Sequence, residues 1–131
     1  MARIAVLCGT GMSAFASHIS SATGSKSSTL RVDSEWGQIP VTLIDTGVGE
    51  VMIIDRHHSD GDSRTHPHRI EHRPNIHAPA SFRPDLILSI NSVGSMRDDL
   101  PPGTIGVATD VLDLADKPWT FHDNHATHAD R

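Results

Sequence analysis

The chain has 131 residues, 16 of them acidic and 11 basic, and a formal net charge of −5, which describes one domain of ordinary size without the basic face of a general nucleic-acid binder. Only 37% of the residues are hydrophobic and 4% aromatic, a thin supply for a packed interior. No apolar stretch approaches the roughly 20 residues of a membrane span, and the lone Cys8 has no partner for an internal disulfide, so a reducing cytoplasm is the expected compartment.

Residues 4–8 form a short continuous apolar run, as expected of a strand buried on both faces. The run leads straight into Gly9-Thr10-Gly11, which reads as a strand end and not as a signal peptide. Met12, Phe15, Ala16 and Ile19 then recur at helical spacing and predict a short helix over 12–19. Residues 20–29 are rich in serine and glycine and predict a mobile loop. Ile39, Val41 and Leu43 alternate within a predicted strand over 37–45, and a glycine turn leads to a second strand over 51–55, antiparallel to the first. Residues 58–72 hold little that is apolar except Ile70 and predict a long loop. A helix over 75–82 is expected to be bracketed and broken by Pro74 and Pro79. Residues 86–90 give the clearest strand, and 105–114 another, after the turn at Pro101-Pro102-Gly103. Strands alternating with short helices place the chain in the α/β class, with a mainly parallel or mixed sheet of about five strands.

Polar clusters stand where buried strands should end. In open α/β sheets, ligands bind just beyond the carboxyl ends of the strands. Gly9-Thr10-Gly11 would let backbone N–H groups approach an oxyanion, and Thr10 adds a hydroxyl. It is neither a dinucleotide fingerprint, because Ala14 stands where the third glycine belongs, nor a phosphate loop, because the lysine is missing. Arg56 offers a planar two-point grip on phosphate oxygens, and His57 beside it can donate a hydrogen bond. Asn91-Ser92-Val93-Gly94-Ser95 ends the third apolar run in small polar residues suited to close ligand approach. Taken singly, each cluster also reads as a plain turn without a ligand. The ten histidines raise a metal reading, with His57, His58, His66, His68, His72 and His77 helped by Asp60 and Asp62, and with His122, His125 and His128 at three-residue intervals. No zinc-protease or zinc-finger spacing supports it, so the expectation is no metal.

In order along the chain, these segments resemble the purine nucleoside phosphorylase and 5′-methylthioadenosine phosphorylase family. Gly9-Thr10-Gly11 looks like the family's Gly-Gly-Ser/Thr-Gly opening, and Ser34-Glu35-Trp36-Gly37 falls where it has a Thr-Pro-Phe-Gly-like turn. Asp55-Arg56-His57-His58 looks like its X-Arg-His-Gly, His66 through Ile76 resembles its His…Pro-His…Asn-Tyr-Arg-Ala-Asn-Ile run, and Asn91 to Ser95 looks like its Thr/Asn-Ala-Val-Gly-Ser segment. Pro102-Gly103 with Asp110 and Asp113, and Thr120-Phe121 through His128 and Asp130, match its later motifs.

The resemblance implies an incomplete nucleoside-phosphorylase-like α/β fold, a central mixed sheet flanked by helices. It implies that residues 1–131 are the N-terminal, phosphate-binding part, with the purine-binding half absent and with it the acid that protonates the leaving base. Thr10, Arg56, His57, Asn91 and Ser92 would then form the phosphate site, and His128 would lie near the nucleoside. The implied reaction is phosphorolysis of a purine nucleoside or its methylthio analogue, with inorganic phosphate as co-substrate, no cofactor, and a homotrimer as the assembly. The sequence departs from the pattern at His58, where a glycine is usual, at Glu71-His72 in place of Asn-Tyr, and at Pro74 in place of alanine. Two alternatives stand beside this reading: a non-catalytic module that partners a complete homologue, because a half-domain exposes apolar sheet surface, and a histidine-rich metal binder, because of the histidine clusters.

Overall fold

The structure, a computed structural model, describes residues 1–58, 64–114 and 121. The chain divides into two compact units, Met1–Val93 and Gly94–Arg131. The first unit carries strands β1 (Ala2–Cys8), β2 (Ser27–Ser34), β3 (Gly37–Asp45), β4 (Gly49–Asp55) and β5 (Leu86–Ile90), and helices α1 (Phe15–Thr23) and α2 (His72–Phe82). A short 3-10 turn at Pro67–Arg69 precedes α2.

The five strands form one mixed sheet in the order β2-β3-β4-β1-β5. β1 lies parallel to β4 on one side and to β5 on the other. β2, β3 and β4 form an antiparallel meander beside them. Alternation along the strands sorts the core onto two faces. Ala5, Leu7, Ile39, Val41, Met52 and Ile54 point to one face, where Ala78 of α2 and Phe82 pack on them. Val6, Cys8, Ile44 and Ile53 point to the other, under Met12 and the α1 residues Phe15, Ala16 and Ile19. Burying an isoleucine such as Ile54 fully stabilises the fold by about 1.5–3 kcal/mol. A mixed sheet with one helix on each face is the architecture expected from the sequence.

Four local expectations are corrected. Residues 20–29 are not a loop: α1 continues to Thr23, Gly24 ends it in the left-handed conformation at φ 66°, and β2 begins at Ser27. The β2 pattern is mostly exposed, so its own sequence carries little apolar signal; β3 holds it in place through a full antiparallel ladder. The helix near 12–19 starts later, at Phe15, after turns in which Met12 N donates to the Gly9 carbonyl. The helix before β5 is whole and longer than expected, with Pro74 in its first turn, where no backbone N–H is needed, and Pro79 buried inside it. Glu71 caps it by accepting from Arg73 N.

In the second unit, the expected strand over 105–114 is not formed. Ile105, Val107, Val111, Leu112 and Leu114 are 81–93% exposed, and no ladder partner for them occurs among the described residues. An apolar run becomes a strand only where another strand satisfies its N–H and C=O groups. No described helix is long and apolar enough to cross a membrane.

Candidate active site at the carboxyl ends of the parallel strands

β1, β4 and β5 end side by side, with Cys8 in register with both Asp55 and Ile90. The ladder runs one step further. Gly9 N donates to the Ile90 carbonyl at 2.8 Å, and Arg56 N donates to the Cys8 carbonyl at 3.1 Å. The next residues of all three strands are therefore carried to one edge: Gly9-Thr10, Arg56-His57 and Asn91-Ser92.

Gly9 is required there by close approach. A Cβ at this position would lie 2.7 Å from Arg56 Nη2, 2.7 Å from Asn91 Oδ1 and 3.1 Å from the Ile90 carbonyl oxygen. The guanidinium thus crosses the bare backbone of β1 to reach the end of β5, where Arg56 Nη2 donates to Asn91 Oδ1 at 2.6 Å. Arg56 Nε is buried and has no partner among the described residues. A buried, unsatisfied cationic donor is costly, and an anion beside the guanidinium would relieve it.

His57 is buried, at 7% exposure. Its Nδ1 lies 3.0 Å from the Thr65 carbonyl, which can only accept, so Nδ1 carries the hydrogen and Nε2 is turned to Thr10 Oγ1 at 3.3 Å. Its backbone is fixed as well: His57 N donates to Asp55 Oδ1, and Thr65 N donates to the His57 carbonyl. Asp55 is also held by Arg64 at 2.8 Å, so its negative charge is paired away from the strand ends. On the other flank, Gly11 has φ +83°, and a Cβ there would lie 3.4 Å from Ser92 Oγ.

Cys8 lies directly beneath this edge but offers no nucleophile. It is buried, and burial, with Asp55 adding to it, pushes its thiol up to about 11. Beside Arg56, toward β3, opens a cleft of about 200 Å³ lined by Trp36, Gln38, His58, Arg69 and Glu71. Trp36 stands edge-on to His77 with ring centroids 6.0 Å apart and carries the Arg73 guanidinium 5.7 Å from its centroid.

The structure therefore brings Thr10, Arg56, His57, Asn91 and Ser92 to one edge. His128 lies outside the described residues, as do Asp60, Asp62, His122 and His125. Among the described residues no group of three His, Cys, Asp or Glu side chains is placed to hold a metal ion. Sequence reasoning did not find Thr65, whose carbonyl sets the His57 tautomer, or the Asp55–Arg64 pair. Thr65 and Arg64 come from the long segment after β4, which has no periodicity to read.

The sequence pattern of the Phosphorylase superfamily matches residues 3–130. The chain belongs to that superfamily. Relatives of this chain include "Probable S-methyl-5′-thioinosine phosphorylase" of Methanosarcina acetivorans, 37% identical over 100 residues, or 76% of this chain and 38% of that protein. The 6-oxopurine nucleoside phosphorylase of Pyrococcus furiosus is 29% identical over 132 residues, covering 100% of this chain and 46% of the relative. The chain thus spans less than half the length of these relatives. Among solved structures, a mutant adenosine/methylthioadenosine phosphorylase from Schistosoma mansoni in complex with methylthioadenosine superposes with a TM-score of 0.62 at 21% identity, over 79% of this chain and 34% of that one. At that identity the likeness is one of fold. The phosphorylase α/β fold is present here in part, as the sequence implied.

Proposed function

We propose that this chain is the phosphate-binding part of a purine nucleoside phosphorylase that acts on methylthioinosine-, methylthioadenosine- or 6-oxopurine-type nucleosides. The observation that carries the reading is the meeting of Arg56, with its unpartnered buried Nε, and the Thr10–His57 pair at the ends of three adjacent parallel strands. Thr10, Arg56, His57 and Ser92 hold inorganic phosphate, with Asn91 beside it. His128 serves the nucleoside.

The chemistry suits these groups. Cleavage of the glycosidic bond builds oxocarbenium-like charge on the sugar. A phosphate dianion fixed against that face stabilises the charge, and one of its oxygens forms the new bond to C1′ as the bond to the base nitrogen breaks. The base leaves with the electron pair and takes a proton. Donors placed in advance by strand ends need no reorganisation during the reaction. No cofactor is needed. The family resemblance supports a homotrimer, and the lone buried Cys8 thiol supports a cytoplasmic location.

The test is phosphate-dependent release of base, from methylthioinosine, methylthioadenosine and inosine, by the full-length gene product that contains this chain. Base release that requires phosphate and falls at least about 100-fold in Arg56→Ala supports the reading. No phosphate-dependent release from any purine nucleoside overturns it.

One observation favours a second reading, a non-catalytic module that associates with a complete homologue. Among the described residues β5 is paired only through β1, and its Leu86, Ile87 and Leu88 are 41–50% exposed. Co-purification with an intact phosphorylase, without turnover of its own, would support that alternative.

A further inference from the structure

We infer that Asn91 is a positioning residue, which aims the Arg56 guanidinium at the anion and does not itself contact it. The inference rests on the phosphate reading of the site given above.

The amide of Asn91 is engaged at both ends. Its Oδ1 accepts from Arg56 Nη2 at 2.6 Å, and its Nδ2 donates to Ser89 Oγ at 3.3 Å. The opposite orientation would set Nδ2 against the guanidinium, donor against donor, so the hydrogen bonds fix which way the amide points. Its carbonyl oxygen is the wrong group to face an anion and the right one to face a cation.

Arg56 needs such a hold. Its side chain leaves the end of β4, crosses the Gly9 backbone and ends over β5. A side chain of that length loses substantial rotamer freedom when fixed. Among the described residues Asp55 pairs with Arg64 and not with Arg56. Asn91 supplies a neutral acceptor that fixes one edge of the fork and leaves the positive charge uncancelled. An aspartate would fix it equally well and neutralise it. The N–H groups that Asn91 does not engage are left for the phosphate oxygens in a set orientation, which is what two-point recognition requires.

The test is a double-mutant cycle on the full-length gene product: Asn91→Ala, Arg56→Ala, and both together. For each, the KM for phosphate, the KM for nucleoside, kcat and the melting temperature are measured. The expected result is a phosphate KM raised about tenfold or more by Asn91→Ala, with nucleoside KM unchanged, and no further rise when Asn91→Ala is added to Arg56→Ala. An Asn91→Ala effect that persists in full without Arg56 means direct contact with phosphate and overturns the inference, as does a phosphate KM that Asn91→Ala leaves unchanged. A phosphate KM indifferent to Arg56→Ala overturns the phosphate assignment of Arg56 itself, a distinct failure that removes the inference with it. Asn91→Ser, too short to reach the guanidinium, takes the same place in the cycle if the alanine variant does not fold.

Discussion

Arg56 and Asn91 join the carboxyl ends of two strands that do not touch: the 2.6 Å hydrogen bond from Nη2 to Oδ1 spans β1, which lies between β4 and β5. The bridge is possible because the residue beneath it is Gly9.

Gly9→Ala is therefore expected to damage the anion site more than its size suggests. The added methyl would meet both halves of the bridge at 2.7 Å, and the Ile90 carbonyl at 3.1 Å limits escape by the backbone. Overpacking of this kind costs about 1–3 kcal/mol. Displacing Arg56 should in addition raise the KM for phosphate about tenfold or more in the full-length product. Steady-state kinetics with phosphate as the varied substrate, beside a thermal melt, separates the two effects. A variant with normal phosphate KM would show that Arg56 has another way to reach the anion.

Most of the sheet, and the edge where its polar clusters meet, were legible in the sequence, for one physical reason. β1, β4 and β5 are buried central strands or end in a cluster of small polar residues, so their apolar runs stop abruptly where the site begins. β3 was legible from the alternation of Ile39, Val41 and Leu43. β2 was not, because Ser27–Ser34 is an exposed strand made by its partner β3 rather than by its own pattern. The opposite error fell on residues 105–114, whose apolar content suggests a strand although no described strand pairs with them. α2 departs from the expected break because Pro74 sits in its first turn and Pro79 is buried inside a continuous helix. Within the site, Thr10, Arg56, His57 and Ser92 followed from strand ends alone. The roles of Thr65 and of the Asn91 carbonyl did not, since both depend on atoms brought together from distant segments.

Gly49→Ala tests the parallel register of β1 and β4. Gly49 pairs with Ala2, and a Cβ on it would lie 2.6 Å from the Ala2 carbonyl oxygen, which is backbone and cannot rotate away. The expected cost is about 1–3 kcal/mol, measured by urea denaturation. Gly94→Ala is the control: a Cβ there meets nothing within 4 Å, and its effect should stay within about 0.5 kcal/mol. Equal stability of the two variants would contradict the register.

Cys8 should be silent toward thiol reagents in the native protein. It is 1% exposed, and its thiol, raised to about 11, is protonated at pH 8. Only the thiolate attacks. Labelling by a disulfide reagent such as Ellman's is expected to give no thiol under native conditions and one in denaturant, where Cys8 is the sole cysteine. Rapid native labelling would place Cys8 at an open edge rather than beneath the strand ends.

Glu71 links the start of α2 to pH. Its carboxylate accepts from Arg73 N at 3.1 Å, from Arg73 Nε at 2.9 Å and from Nη2 at 2.8 Å, and the side-chain hydrogen bonds of Arg73 hold it down at about 2, against an ordinary 4.5. A group whose pKa is lowered by folding stabilises the fold above its unfolded value, and that contribution is lost as the pH falls from 4.5 toward 2. The pair is largely exposed, so solvent screens it and the ion-pair part is small. The cap adds the rest. Glu71→Ala should cost about 1 kcal/mol at pH 7 and progressively less below pH 4.5. Urea denaturation of both proteins across this range reads the difference directly. A deficit that stays constant down to pH 3 would mean that Glu71 acts through packing and not through its charge.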